Sequence, residues 1–507
     1  MTNLIRSGSF RRVQRVAAIA LLLAATAACA VGPDFERPAA PATKGYGAKP
    51  MPGETAAAPV AGGEGQRFVE DLDIPGQWWE LFHSEPLNAL IAEALKANPD
   101  LQSAQAALRV AEESVRAQEG FYYPNVSANV SANRQKDATG SLASLQVTGL
   151  TYFNLFTAQV SVSYVPDVFG LNRRTVESLE AQREAQRFQL EATYLTLTSN
   201  LVNAAIGEAS LRGQIAATRK IIDIETQQLD LMRKEQKLGQ VAELDVAAQE
   251  ATLAQTQATL PPLEKQLAQQ RDLLTALLGR LPSEEPADTF ELADLKLPRE
   301  LPVTLPAKLV EHRPDVRAAE ENLHAASAQV GVAIANRLPN ITLSGNYGGS
   351  ATQLSQLFAP GNIFWLVGGS VAQTVFDGGT LLHKERGAEA AFNQAKAQYR
   401  SAVVTAFQNV ADALRALEHD ADALVANLSA ERAAARSLDM ARGQMRLGAI
   451  SYLSLLNAEQ TYQQAVVNLV VAQANRYADT VALFQALGGG WWNRSDVAAS
   501  EDSGSFF

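Results

Sequence analysis

The chain carries two copies of one pattern, and that duplication limits its fold more than any single motif. Asn98-Pro99-Asp100 returns as Arg313-Pro314-Asp315, and Tyr123-Pro124-Asn125 returns as Leu338-Pro339-Asn340, both 215 positions later. Lys237-Leu238-Gly239 returns as Arg446-Leu447-Gly448, and Ala276-Leu277-Leu278-Gly279 as Gln485-Ala486-Leu487-Gly488, both 209 positions later. Two constant offsets that differ by one six-residue loop change describe a common unit, over roughly residues 86–280 and 301–488. With only two long copies this is a duplication, not a solenoid.

Proline marks where long helices can run. None occurs between Pro166 and Pro261, and none after Pro360. Because proline costs about 3 kcal/mol inside a helix, these spans permit very long ones. Val403, Phe407, Val410, Leu414, Leu417, Ala421, Leu424 and Leu428 alternate steps of four and three, and Leu190, Tyr194, Leu197, Leu201 and Ala204 do the same in the first copy. A repeat of about 3.5 residues is a coiled-coil seam. A helix from about Asn172 to Leu238 would be roughly 100 Å long. Gly239 and Gly448 then break the helices, and a second apolar-patterned helix returns from each, which makes antiparallel helical hairpins with glycine at the tip. Pro261-Pro262 is expected to interrupt the returning helix of the first copy; the second copy has no equivalent.

Between the helical regions the period changes to two. Val126, Ala128, Val130 and Ala132 alternate with Asn125, Ser127, Asn129, Ser131 and Asn133, and Val160, Val162 and Tyr164 alternate with Ser161 and Ser163. In the second copy Ile341 and Leu343 alternate with Thr342 and Ser344, and a glycine-rich run from Trp365 to Phe376 makes a fourth strand. A soluble sheet with one buried face shows this alternation, and so does a membrane barrel with apolar side chains toward lipid. With long helices beside four strands and no other core to cover them, the barrel is favoured. Four strands cannot close alone, since membrane barrels need about 8 or more, so several chains must share one barrel.

The N-terminus reads as an export signal. Arg6, Arg11, Arg12 and Arg15 precede an apolar run from Val16 to Ala25, and small residues lead to Cys29. That run is shorter than the roughly 20 residues a spanning helix needs, and no apolar stretch of that length follows it. Cys29 is the single cysteine, so no intrachain disulfide exists. Its setting, Thr26-Ala27-Ala28-Cys29-Ala30, is like a lipobox, although Thr26 stands where a larger aliphatic residue is preferred. An ordinary cleaved signal with an incidental cysteine is the alternative. Ala30, in place of a retention aspartate, favours the outer membrane. Loss of four arginines with the signal would move the net charge from −11 to −15, which argues against nucleic acid as a partner. The expected layout is a signal over 1–28, a lipid-anchored extended tether over 29–75, and a first repeat over 76–285. A linker over 286–300, a second repeat over 301–490 and a tail over 491–507 complete it.

In this order the motifs are specific. Cys29-Ala30-Val31-Gly32-Pro33-Asp34-Phe35 with Pro38, Trp78-Trp79-Glu80-Leu81-Phe82, Tyr123-Pro124, Val165-Pro166-Asp167-Val168-Phe169-Gly170, Phe376-Asp377-Gly378-Gly379 and Leu487-Gly488-Gly489-Gly490-Trp491 resemble the outer-membrane factors of tripartite efflux pumps, the TolC-like and OprM-like channels, in their NodT-type lipoprotein branch. The resemblance implies a mostly helical fold with membrane strands, and a homotrimer with a 12-stranded outer-membrane barrel and a 12-helix periplasmic tunnel. It implies a passive conduit exporting small molecules, with a periplasmic adaptor (membrane-fusion) protein and an inner-membrane transporter, usually of the resistance–nodulation–division (RND) type. It also implies that Lys237, Gly239, Arg446 and Gly448 mark adaptor-docking tips, and that Leu453 and Asn457 line a periplasmic constriction. These two are four apart on one helix face. Asn457 is neutral where many members carry an acid, and Asp245 with Glu243 would supply negative charge instead.

Nothing in the sequence points to an enzyme. His83, His312, His324, His383 and His419 include no pair four apart on one helix face, and no second cysteine exists to complete a zinc site. Gly378-Gly379 lacks a phosphate-loop lysine. No cofactor or metal is expected. Two other readings are a conduit for type I protein secretion and a non-channel coiled-coil lipoprotein.

Overall fold

The computed structural model describes residues 30–43, 45–47, 52–136 and 152–494. Cys29, the signal and residues 495–507 lie outside the described residues. The elements run β1 (Arg67–Glu70), α1 (Glu85–Ala97), α2 (Pro99–Glu119), β2 (Asn125–Gln135), β3 (Phe153–Tyr164), α3 (Leu171–Lys237), α4 (Glu243–Leu277) and β4 (Glu300–Val303). They continue with α5 (Pro306–His312), α6 (Pro314–Ala335), β5 (Asn340–Ala351), β6 (Ile363–Ala372), α7 (Thr380–Arg446) and α8 (Tyr452–Ala486). The order from α1 to α4 is repeated from α5 to α8. Both α3 and α7 have 67 residues, and both α4 and α8 have 35.

Two compact units divide the chain. One holds the described parts of the N-terminal arm to Arg37, Leu108–Gln186 and Ala319–Tyr399, and with them the four long strands. Their sheet is antiparallel in the order β2-β3-β5-β6, so the two copies join edge to edge at β3 and β5. The arm is fixed on this unit. Arg174, almost fully buried, donates to the Val31 and Gly32 carbonyls and pairs with Asp34 at 2.7 Å, and Phe35 stacks on His324.

The other unit holds the described parts of Pro38–Ala107, Arg187–Ala318 and the chain from Arg400 to Arg494. Here the seam of α7 is buried as spaced: Val403, Val410, Leu414, Leu417, Ala421, Leu424 and Leu428 are all buried, and Phe407 lies against Tyr46. The first-copy seam is wider than expected. Leu195, Leu197, Thr198, Leu201, Val202, Ala205 and Ile206 are buried together, so α3 is covered on most of its circumference there.

The repeated motifs carry repeated contacts. Asn98 donates to the Leu277 carbonyl at 2.9 Å, and Arg313 donates to the Ala486 carbonyl at 2.9 Å. Different side chains thus satisfy the same orphan acceptor at the end of a returning helix.

Four expectations need correction. Pro261-Pro262 does not interrupt the returning helix, since α4 runs unbroken through both. The missing N–H groups free the carbonyls of Gln257 and Ala258, but both residues are exposed and water can bond them. The fourth strand ends at Ala372, short of Phe376.

The expected tether is extended, yet its second half is packed. Gln66 is fully buried and donates to Pro298 and Thr480; the buried Arg476 donates to Leu417, Thr55 and Glu64. A buried guanidinium needs acceptors, and the arm supplies two of them. β1 then pairs in parallel with β4, at the end of the expected linker. Trp491 to Arg494 are likewise docked: Trp491 donates to the His312 carbonyl, and Arg494 forms a buried pair with Glu191.

Candidate functional site

The sheet has one apolar face that is continuous across all four strands. Register places Val126, Ala128, Val130 and Ala132 beside Val162, Val160, Ala158 and Phe156; these continue into Tyr347, Leu343 and Ile341, then Trp365, Val367 and Val371. The opposite face carries Asn125, Ser127, Asn129, Ser161, Ser163, Thr342, Ser344 and Asn346. The apolar face is bare: Val130 is 79 %, Trp365 73 % and Val367 76 % exposed. Burying a side chain of this size is worth roughly 1.5–3 kcal/mol. Val126, Val130, Val160, Val162, Leu343, Tyr347, Ile363, Trp365, Val367 and Val371 are all exposed on that face. Each is only partly exposed, 38–79 %, so together they forgo on the order of 10–20 kcal/mol, as much as a typical domain's whole stability. Such a face is built for a nonaqueous neighbour. Strands of 10 to 12 residues have the length needed to cross a bilayer at a tilt. No helix among the described residues is long and apolar enough to do so.

Among the described residues, β2 and β6 each leave one edge unpaired. In lipid every unpaired backbone group costs several kcal/mol, so these edges must meet other strands.

The second feature is the pair of hairpin tips. Lys237 and Arg446 end α3 and α7, and both are exposed. Gly239 and Gly448 follow at φ 72° and 69°, in the left-handed region where glycine is unstrained. Gly239 N–H donates to Gln236 and Gln240 N–H to Glu235; in the second copy Gly448 N–H donates to Met445 and Ala449 N–H to Gln444. This Schellman-type closure satisfies the last carbonyls of each helix. Leu238 and Leu447 stand exposed at the apices. Leu453 and Asn457 are both exposed on α8, while Asp245 is half-buried in the first turn of α4 beside the exposed Glu243. Acids in a first turn suit the helix dipole, which is a sufficient structural reason for the latter two.

Sequence reasoning missed a polar layer behind the tips. Leu229, Met232, Val246, Leu253, Leu438, Ala441, Tyr452, Leu455 and Leu456 form one apolar core from α3, α4, α7 and α8. Glu225 and Glu459 extend the same seams and are only 2 % and 4 % exposed. Thr256 donates to Glu225 Oε1 at 3.1 Å, and Gln249 donates to the Glu225 backbone carbonyl at 3.3 Å. The Tyr452 hydroxyl donates to Gln249 and accepts from Gln228. Glu225 Oε2 and both Glu459 carboxylate oxygens accept no hydrogen bond. Arg442 approaches Glu459 at 3.6 Å. Burial pushes the Glu225 carboxyl up to about 7, against the Thr256 hydrogen bond and with help from the Glu459 charge. Burial likewise raises Glu459, although Arg442 opposes it. The available signal was a heptad seam in which glutamate replaces an apolar residue at the same depth in both hairpins.

Among the described residues no three His, Cys, Asp or Glu side chains gather as metal ligands. What this arrangement provides is surface: an apolar sheet with open edges in one unit, and paired helical hairpins with exposed tips in the other.

Comparison with known proteins agrees with that description. The sequence pattern of the family described as outer membrane efflux protein matches twice, over residues 90–280 and 305–489. The pyoverdine export outer membrane protein OpmQ of Pseudomonas putida is 30 % identical over 87 % of this chain and 94 % of its own length. The toluene efflux pump outer membrane protein TtgC of Pseudomonas putida is 27 % identical over 94 % of this chain and 95 % of its own. Among solved structures, the outer-membrane channel OprN superposes with a TM-score of 0.81 at 28 % identity, covering 91 % of this chain and all of that one. The chain belongs to the outer membrane efflux protein family. Its long hairpins and four-stranded sheet are the fold of those channels.

Proposed function

We propose that the chain, an outer-membrane channel component of a tripartite efflux system, works as a homotrimer whose copies close one barrel through the open edges of β2 and β6. The observation that carries this is the bare apolar face between two unpaired edges. Three copies contribute twelve strands, and their hairpins contribute a twelve-helix tunnel on the periplasmic side. A barrel of eight would be filled by its own side chains, whereas twelve leaves room for a passage. The channel moves small molecules passively, and an inner-membrane transporter of the RND type, reached through a periplasmic adaptor, supplies the energy. In this reading Lys237, Gly239, Arg446 and Gly448 mark the adaptor-docking tips, and Leu453, Asn457 and Asp245 lie at the constriction.

Lipidation at Cys29 belongs to the same reading. Ala30 packs against Gly170, and Val31 N–H donates to the Phe169 carbonyl. The neighbour of Cys29 is thus held where β3 passes into α3, at the foot of the apolar sheet. An acyl chain there reaches the bilayer that the sheet enters.

The relatives named for pyoverdine export and toluene efflux support small-molecule cargo over type I protein secretion. Purified full-length protein in planar bilayers is expected to show discrete single-channel currents, and native mass spectrometry a trimer. A folded trimer that never conducts, even with its tips loosened by substitution, would reject the channel.

A further inference from the structure

The two buried glutamates have no use in the conduit described so far. They lie one turn from the apolar core of the tips: Glu225 is four residues before Leu229 on α3, and Glu459 three after Leu456 on α8. A neutral carboxyl at such a place can act as a hydrogen-bond donor, and an ionised one cannot. We propose that Glu225 and Glu459 form a proton-sensitive latch that keeps the hairpin tips packed when protonated and loosens them when ionised. The consequence for gating rests on the channel reading; the latch itself does not.

The polar and charged groups facing this layer come from all four helices. Glu225 and Gln228 come from α3, Asp245 and Gln249 from α4, Arg442 from α7, and Tyr452 and Glu459 from α8. Tyr462, on the next turn, faces Glu431, Asp439 and Arg442. Arg442 is the cation that approaches the pair, and it lies beside Glu459 alone. When both glutamates ionise, one buried negative charge therefore stands without a counterion.

The sign follows from proton binding. The packed state holds protons more tightly than the open one, because both carboxyls are raised. Packing is therefore firmest below the ordinary glutamate range, about 4.3, and is lost as pH rises toward about 7. Above that it is flat. A polar layer that only sets helix register would show no pH dependence.

Hydrogen exchange on the full-length membrane protein, corrected for intrinsic rates, tests this at about pH 5.5 and about pH 8. Peptides covering 222–232, 246–256 and 452–462 are expected to lose roughly tenfold or more of their protection at the higher pH, while α1 is unchanged. In the double variant Glu225→Gln with Glu459→Gln, these peptides should stay protected at both. Equal protection of the wild type at the two values would overturn the latch. So would an undiminished pH step in the double variant. Should the double variant fail to fold, the single variants decide: Glu225→Gln removes the carboxyl without a counterion and must shrink the step more than Glu459→Gln. Bilayer conductance forms a separate arm. Exchange that follows the latch in a protein that never conducts would reject the channel and leave the latch standing.

Discussion

At the end of α4 a Cβ on Gly279 would come within 2.7 Å of the Ala97 carbonyl oxygen, and at the end of α8 one on Gly488 would come within 2.8 Å of the His312 carbonyl. Both glycines also have positive φ, 75° and 99°. Gly279→Ala and Gly488→Ala are each expected to destabilise the protein by about 1–3 kcal/mol, read as a fall in the urea midpoint. Asn98→Ala should cost about 1–2 kcal/mol in the same measurement, because it strips the Leu277 carbonyl and uncaps Asp100 and Leu101 together. The glycines were legible as repeated motif letters. Their partners were not, because they lie far away along the chain and no local pattern names them. Arg313 shows the limit of motif matching: it replaces asparagine in the second copy and still reaches the equivalent carbonyl.

Among the elements, period and punctuation were the readable part. The 3.5-residue seam and the glycine tip placed the first long helix within a residue at each end, and the period of two marked four strands, the fourth of them several residues too far along the chain. What escaped depended on exposure. The proline pair in α4 is tolerated because the carbonyls it frees face water, a property of the packed helix and not of the dipeptide. Replacing Pro261 and Pro262 by alanine should therefore restore two helical hydrogen bonds and firm this helix by about 1–3 kcal/mol, visible as slower amide exchange over residues 255–266. Unchanged exchange would show that the neighbouring turns already compensate. The polar layer at Glu225 and Glu459 was hidden for a related reason: a glutamate on a seam reads as a flaw in the repeat until its burial is seen. β1 and β4 were missed because four residues each give no period, and their parallel pairing joins segments far apart.

For the whole molecule, it is the sheet that would hold the proposed lipid-anchored trimer in its membrane. Val367→Arg on the apolar face is expected to cost about 2–4 kcal/mol and to lower the yield of assembled trimer, whereas Ser370→Arg on the polar face should not. Heat-modified mobility of the assembled protein on gels reads the difference. Cys29→Ser, with export preserved, should leave the trimer embedded, because an acyl chain adds little beside a barrel. A variant found free in the periplasm would remove the barrel from the account. The packed N-terminal arm has a consequence for how the molecule is made. Gln66 bonds Thr480, 414 residues later, and β1 waits for β4. At about 5–20 residues per second, roughly 20–80 s of synthesis separate the two ends of that contact. The first repeat therefore emerges with the Gln66 part of its arm still unpaired, and a chain cut before residue 476 lacks both Arg476 and Thr480 as partners for it. Closure of that one contact therefore reports that both repeats are present.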